Sequence, residues 1–158
     1  MLDAYLFAAI QVIVDIRSRF LFEQAVLAQR KTRTLSVNEL CALMREAQAA
    51  SYGDGLEPST FHPYMWIAKP HYYYDTYYNW PYTFAHLLAI GLYASYVDDP
   101  DRFRPAFDDL LFGAGMATAA DLAKPMGIDL ADEAFWMSSL DLLRRAIDDF
   151  ERLAPSSV

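Results

Sequence analysis

Apolar residues recur at helical spacing from the start of the chain. Tyr5, Ala8, Ala9, Val12, Ile16, Phe20 and Leu27 predict a long helix over residues 2 to about 30. Arg17, Arg19, Glu23, Arg30 and Lys31 supply its polar positions, and no Gly or Pro interrupts the chain before Gly53. Phe7, Ile10, Val14, Leu21 and Phe22 widen the apolar stripe beyond one face. A helix of that kind is contacted on several sides. It opens the chain with no cap and no leader, as an element cut from its neighbours would.

Thr34 to Ser36 breaks the pattern. Ser36-x-x-Glu39 reads as a capping box ahead of Leu40, Leu43, Met44 and Ala47, and predicts a helix over about 37 to 51. Gly53 and Gly55 end it through a left-handed turn. Glu57 to Pro70 holds three prolines and predicts loop or short turns, with Met65 and Trp66 plugged into the core. Pro81 stands where a helix begins, at the first helical position. Tyr82 to Val97 then shows almost no polar face and predicts the most buried helix. Asp99 reads as a cap with Pro100 as first residue of a fourth helix, running to about Phe112. Thr118-x-x-Asp121 caps a short fifth, ending near Met126-Gly127. The sixth spans about Asp132 to Leu153, with Phe135, Trp136, Leu140, Leu143, Ile147 and Phe150 as its stripe. Pro155 to Val158 reads as a frayed tail. No stretch alternates with period two between hairpin turns. The fold class is therefore all-α, a single domain over residues 1–158 built as a bundle of about six helices.

Composition narrows the function. A net charge of −8 argues against nucleic acid and against an anionic membrane, because phosphate binding needs clustered Lys and Arg. The apolar content of 54% is high for a free-standing domain, and raises the expectation of a partner surface. The single Cys41 excludes an intrachain disulfide and a Cys-based zinc site, and points to a reducing, cytoplasmic compartment. Cys41 itself reads as a buried structural residue. Asp3 and Asp15 interrupt the apolar run from Met1 to Ile16, so it predicts neither a signal peptide nor a membrane span.

Most catalytic signatures are missing. There is no Gly-rich phosphate loop and no Gly-x-Ser-x-Gly elbow. The three histidines, His62, His71 and His86, form no His-x-x-x-His pair. A small zinc site recruited from them with a carboxylate stays a minor alternative. His86, in the most apolar helix, reads as a satisfied core residue. The stretch His71 to Tyr82 stands out, because six of the eleven tyrosines fall inside it. A phenol packs its ring while its hydroxyl needs a partner. The stretch is therefore either an aromatic core seam or a Tyr-lined loop that hydrogen-bonds something else. His71, Tyr78 and Tyr82 could aim several neutral donors at one point. Such donors, pre-organised against a developing oxyanion, are worth roughly 3 kcal/mol each.

Several stretches together resemble the C-terminal part of oligoendopeptidase F and its relatives, the M3 family of zinc metallopeptidases. They are Arg19-Phe-Leu-Phe-Glu23, Ala47 to Leu56, His62-Pro-Tyr-Met-Trp66, Lys69-Pro-His-Tyr-Tyr73, Tyr77 to Phe84, Gly91-Leu-Tyr-Ala94, and Gly127-Ile-Asp129 followed by Phe135-Trp136. The likeness runs over essentially the whole chain. It implies a mostly helical, clam-shaped enzyme that cleaves short peptides in a deep channel. Zinc there is held by a His-Glu-x-x-His helix and a later Glu, and the motif Glu activates the water. By the same resemblance His71, Tyr78 and Tyr82 bind the substrate carbonyl and stabilise the tetrahedral intermediate, while Tyr72 and Tyr73 line the substrate site.

Two departures are small: Trp80 stands for the usual Phe, and Ala85-His86 where Gly is common. The decisive one is that this sequence holds no His-Glu-x-x-His and no third-ligand Glu. The resemblance thus implies a zinc cofactor for the complete enzyme and none for this chain alone, which should be inactive by itself. Either the chain is a C-terminal piece of such an enzyme, cut or truncated from it or one half of a split enzyme whose zinc part lies on a separate chain, or it is a non-catalytic helical module that binds peptides or associates with itself.

Overall fold

A computed structural model describes residues 1–75 and 77–153. The predicted tail from Pro155 lies outside the described residues, as does Thr76. The chain is all-α: among the described residues the only β pairing is one isolated bridge between Ala114 and Ala117. It forms two compact units, one of Met1 and Asp3–Phe84, the other of Leu2 and the residues from Ala85 on.

In the first unit, α1 (Leu2–Ile10) passes through a π-helical turn at Gln11–Asp15 into α2 (Ile16–Arg30). The sequence predicts this helix but not its π turn, where i→i+5 bonding leaves the backbone wider than in an α-helix. The Val12 carbonyl accepts a hydrogen bond from the Thr83 hydroxyl at 2.8 Å. The predicted capping box opens α3 (Val37–Tyr52): Ser36 Oγ accepts from Glu39 N, and Glu39 Oε2 accepts from Ser36 N at 2.8 Å. Gly53 then stops α3 at φ 56°, ψ −125°, a conformation that only glycine adopts without strain. Phe22, Met44 and Ala47 form the core between α2 and α3, and Met65 and Trp66 pack on it as the sequence predicts. They come from a 3₁₀ turn, Met65–Ala68. Buried Gln48 holds the preceding loop: its amide accepts from His62 N at 3.0 Å and donates to His62 O at 3.1 Å.

The short helix α4 (His71–Tyr74) comes next, and then α5 (Trp80–Asp98), inside which the division between the units falls. Pro81 is thus the second residue of α5, not the first. In the second unit α6 (Pro100–Gly113) starts as predicted, Asp99 Oδ1 accepting from Arg102 N. α7 (Ala119–Ala123) carries the Thr118 cap, and α8 (Glu133–Leu153) closes the unit. Leu92, Ala123 and Ile128 form the core here, with Phe103, Phe107 and Phe135 packed against it. Ser139, fully buried, donates to the Leu87 carbonyl at 2.9 Å.

Two expectations on burial change. Only Ile90, Gly91 and Leu92 of α5 are buried, while Tyr93 and Val97 are exposed. On α8, Ile147 and Phe150 are also exposed, and the buried positions are Ser139 and Leu143. An apolar stripe reports the wish for cover, not its presence. His86 differs too: its Nε2 is sheltered and has no hydrogen-bond partner among the described residues. Cys41 is buried, as expected. No helix of the described residues is long and apolar enough to cross a membrane.

Two stability predictions follow from these contacts. A Cβ on Gly91 would lie 2.5 Å from Phe135 Cζ and 2.8 Å from Ser139 Oγ. Gly91→Ala should therefore lower the urea midpoint, costing about 1–3 kcal/mol as overpacking does. The second concerns acid. Glu39 is held at about pKa 2, first by its side-chain bond to Arg33 and then by its bonds to Ser36. A depressed folded-state pKa gives stability present above the unfolded value and lost as pH falls through the folded one. The α3 cap should hold above about pH 4.5 and weaken toward pH 2, and Glu39→Gln should flatten that part of the stability–pH curve.

Candidate functional site

Lys69-Pro70 turns the chain into α4, a single turn whose first bonds run from Tyr73 N and Tyr74 N to the Pro70 carbonyl. His71 therefore sits on a helical turn, where the sequence predicts a loop. The chain then extends at Asp75. Tyr77 takes φ 58°, the one non-glycine residue with positive φ among the described residues. That conformation costs a non-glycine residue about 1–2 kcal/mol, so its surroundings must impose it.

Residues of this segment divide into two sets. One set faces α2. The Tyr72 hydroxyl donates to the Arg19 carbonyl at 3.1 Å, and its ring meets Phe22 edge-on at 5.3 Å. The Tyr77 ring meets Phe20 edge-on at 5.8 Å. Asn79 is 1% exposed and donates to Glu23 Oε2 at 3.1 Å, and Glu23 is itself 7% exposed.

The other set comprises His71, Tyr78 and Tyr82, and it converges on itself. The Tyr82 hydroxyl and His71 Nε2 are hydrogen-bonded at 3.1 Å. The His71 and Tyr78 rings stack at 5.7 Å with 14° between their planes. Tyr82 stands edge-on to Tyr78 at 5.7 Å. His71 Nδ1 is sheltered and has no partner among the described residues. The Tyr78 side of the cluster is open, with Tyr78 47% exposed. On the open side the Tyr78 hydroxyl can offer a neutral hydrogen bond to an acceptor such as a carbonyl oxygen, and the Tyr82 hydroxyl can join it when His71 Nε2–H donates to the Tyr82 oxygen and leaves its O–H free.

The structure thus brings together the three residues expected to bind a carbonyl, and places Tyr72 and Tyr73 elsewhere. The hydroxyl of Tyr72 is spent on a backbone carbonyl, and burial raises it well above the usual phenol range. The Tyr73 hydroxyl donates to the Trp66 carbonyl at 3.2 Å. Sequence reasoning missed the largely buried polar row of Asp15, Arg19 and Glu23, whose last two members bond Tyr72 and Asn79. Asp15 pairs with Arg19 one turn on, and accepts from the Tyr52 hydroxyl at 2.9 Å. Burial, then the bond to Asp15, pushes Tyr52 up to about 12. The signal was there: Asp15, Arg19 and Glu23 recur every four residues, which puts all three on one face of the helix.

Among the described residues, no group of three His, Cys, Asp or Glu side chains is placed to hold a metal ion. No protein-family model, no curated protein and no solved structure matches the chain.

The two tyrosine sets should respond differently to removal of a hydroxyl. Tyr72→Phe deletes a sheltered bond and should cost about 1 kcal/mol in urea unfolding. Tyr78→Phe, whose hydroxyl has no bond among the described residues, should stay within about 0.5 kcal/mol of the parent.

Proposed function

We propose that the chain is the C-terminal, substrate-binding part of an M3-type zinc metalloendopeptidase that hydrolyses short peptides. The observation that carries this reading is the convergence of His71, Tyr78 and Tyr82 on one open face. In such an enzyme the Tyr78 hydroxyl, with the Tyr82 hydroxyl held in place by His71, would donate hydrogen bonds to the scissile carbonyl oxygen as it gains negative charge. Stabilisation of this kind counts only if the donors are already in place when the charge develops. The ring contacts that fix the three side chains against one another fit that requirement.

Zinc is what the reaction would also need, and the described residues of this chain offer no ligand set that fits it. Metal and activated water would come from residues outside this sequence, on the same polypeptide or on a second chain. A second reading, a helical module that binds peptides without hydrolysis or associates with itself, is favoured by α1. There Phe7 is 70% and Ile10 55% exposed, on a helix whose neighbours would normally cover them.

A quenched fluorogenic peptide tests the choice. With zinc supplied, the chain alone should give no turnover, and turnover should appear when lysate from its source is added. In the complemented enzyme Tyr78→Phe should lower kcat/KM by about 100-fold, the loss typical of one oxyanion donor. Turnover by the chain alone would overturn the reading. Silence in both arms, with a concentration-dependent mass in solution, would favour the self-associating module.

A further inference from the structure

The segment from α4 to the start of α5 meets α2 through residues that alternate with the candidate site. Tyr72, Tyr77 and Asn79 face α2, whereas His71, Tyr78 and Tyr82 face one another. All the α2 partners lie within one and a half turns, Arg19 to Glu23. Two of the three anchors are aromatic or backbone contacts, which tolerate sliding. The third is different. Asn79 and Glu23 are both buried, and their bond joins a side-chain amide to a carboxylate across 56 residues of chain. A bond to a charged acceptor is directional and costly to leave unmade.

We infer that Asn79 and Glu23 are a positioning pair: their buried hydrogen bond sets the register in which Tyr78 and Tyr82 meet His71. Three observations meet at this bond. Asn79 is the residue next to Tyr78 and lies one residue before α5, so fixing its side chain fixes where α5 starts. It also lies two residues from Tyr77, whose left-handed backbone needs an outside constraint. Finally, Tyr82 projects from the first turn of α5, so any rotation of that turn moves its hydroxyl away from His71 Nε2. The pair touches no substrate in this account. It acts through Tyr78 and Tyr82.

The inference rests on reading His71, Tyr78 and Tyr82 as the site, but its test needs neither peptide nor zinc. The readout is proton NMR of the full chain. Rings with centroids 5.7 Å apart give cross-peaks between His71 and both Tyr78 and Tyr82, and stacking shifts the His71 ring protons. Asn79→Ala should abolish those cross-peaks and return the His71 ring protons to unstacked positions, with helical circular dichroism retained. Glu23→Gln keeps an acceptor for Asn79 and should keep the cross-peaks.

Should Asn79→Ala fail to fold, the double variant Glu23→Met with Asn79→Leu removes the bond without leaving a buried polar group unpaired. It too should lose the cross-peaks. A folded Asn79→Ala or double variant with the cross-peaks intact would overturn the inference. So would their loss in Glu23→Gln to the same degree as in Asn79→Ala. Failure of the peptidase assay would leave this result standing, since the rings report their own placement.

Discussion

A helix that carries charge into its own core sets the terms for the first unit. On α2, Arg19 and Glu23 are each 7% exposed, and Asp15 lies just before them, paired to Arg19. Buried charges persist only when paired and hydrogen-bonded. The two carboxylates each recruit a partner from another part of the chain. Asp15 takes Tyr52 at the end of α3, and Glu23 takes Asn79 at the start of α5. The carbonyl of Arg19 takes Tyr72 from α4. Removing one partner from a buried bond to a carboxylate leaves that charge unsatisfied and costs more than the bond itself contributes, whereas an apolar replacement of both partners is often neutral. The seam's value is accordingly one of specification. It says which segment docks where, over a core of Phe22, Met44 and Ala47 that would accept several arrangements.

The candidate site inherits that order. His71, Tyr78 and Tyr82 bond and stack with one another, and they alternate along the chain with the residues clamped to α2. Their mutual geometry is tight while one face stays open, with Tyr78 half-exposed. This is the division expected of a binding surface on a rigid support, where precision comes from beneath and access from above. Tyr72 and Tyr73 illustrate the opposite use of the same side chain. Their hydroxyls end on backbone carbonyls, so they build the platform.

What was legible in the sequence was local. The caps at Ser36, Asp99 and Thr118 each depend on residues within three positions, and all three form as read. The long helices follow from apolar spacing together with these caps and the Gly and Pro breaks between them. The convergence of the site was legible only as a cluster of residue types, because its geometry depends on bonds spanning 53 and 56 residues. The turn at α4 was hidden because four residues are too few to show a period. Burial on α5 and α8 misled for another reason: Tyr93, Val97, Ile147 and Phe150 are apolar enough to be core, yet nothing in a one-dimensional pattern says what lies opposite them. The seam on α2 was visible only as polar positions on a helix expected to be contacted on several sides; which of them would be buried, and against what, depends on residues as distant as Tyr52 and Asn79.

The π turn at Gln11–Asp15 carries a consequence for how this chain can change in length. A single π turn accommodates one residue more than the α-helix around it would use. Deleting one residue there would let the segment relax to regular α-helix, with all its backbone bonds kept. Because the π turn already absorbs the extra residue, such a deletion would leave α1 facing as it does now relative to α2, with Leu6 and Ala9 still buried. Deleting a residue from the regular α-helix on either side would instead turn every side chain of α1 by about 100° relative to α2, since that is the angle per residue, and Phe7 or Ile10 would swing toward the places of Leu6 and Ala9. A one-codon deletion is thus harmless to the face α1 presents when it falls in the π turn, and disruptive a few residues away.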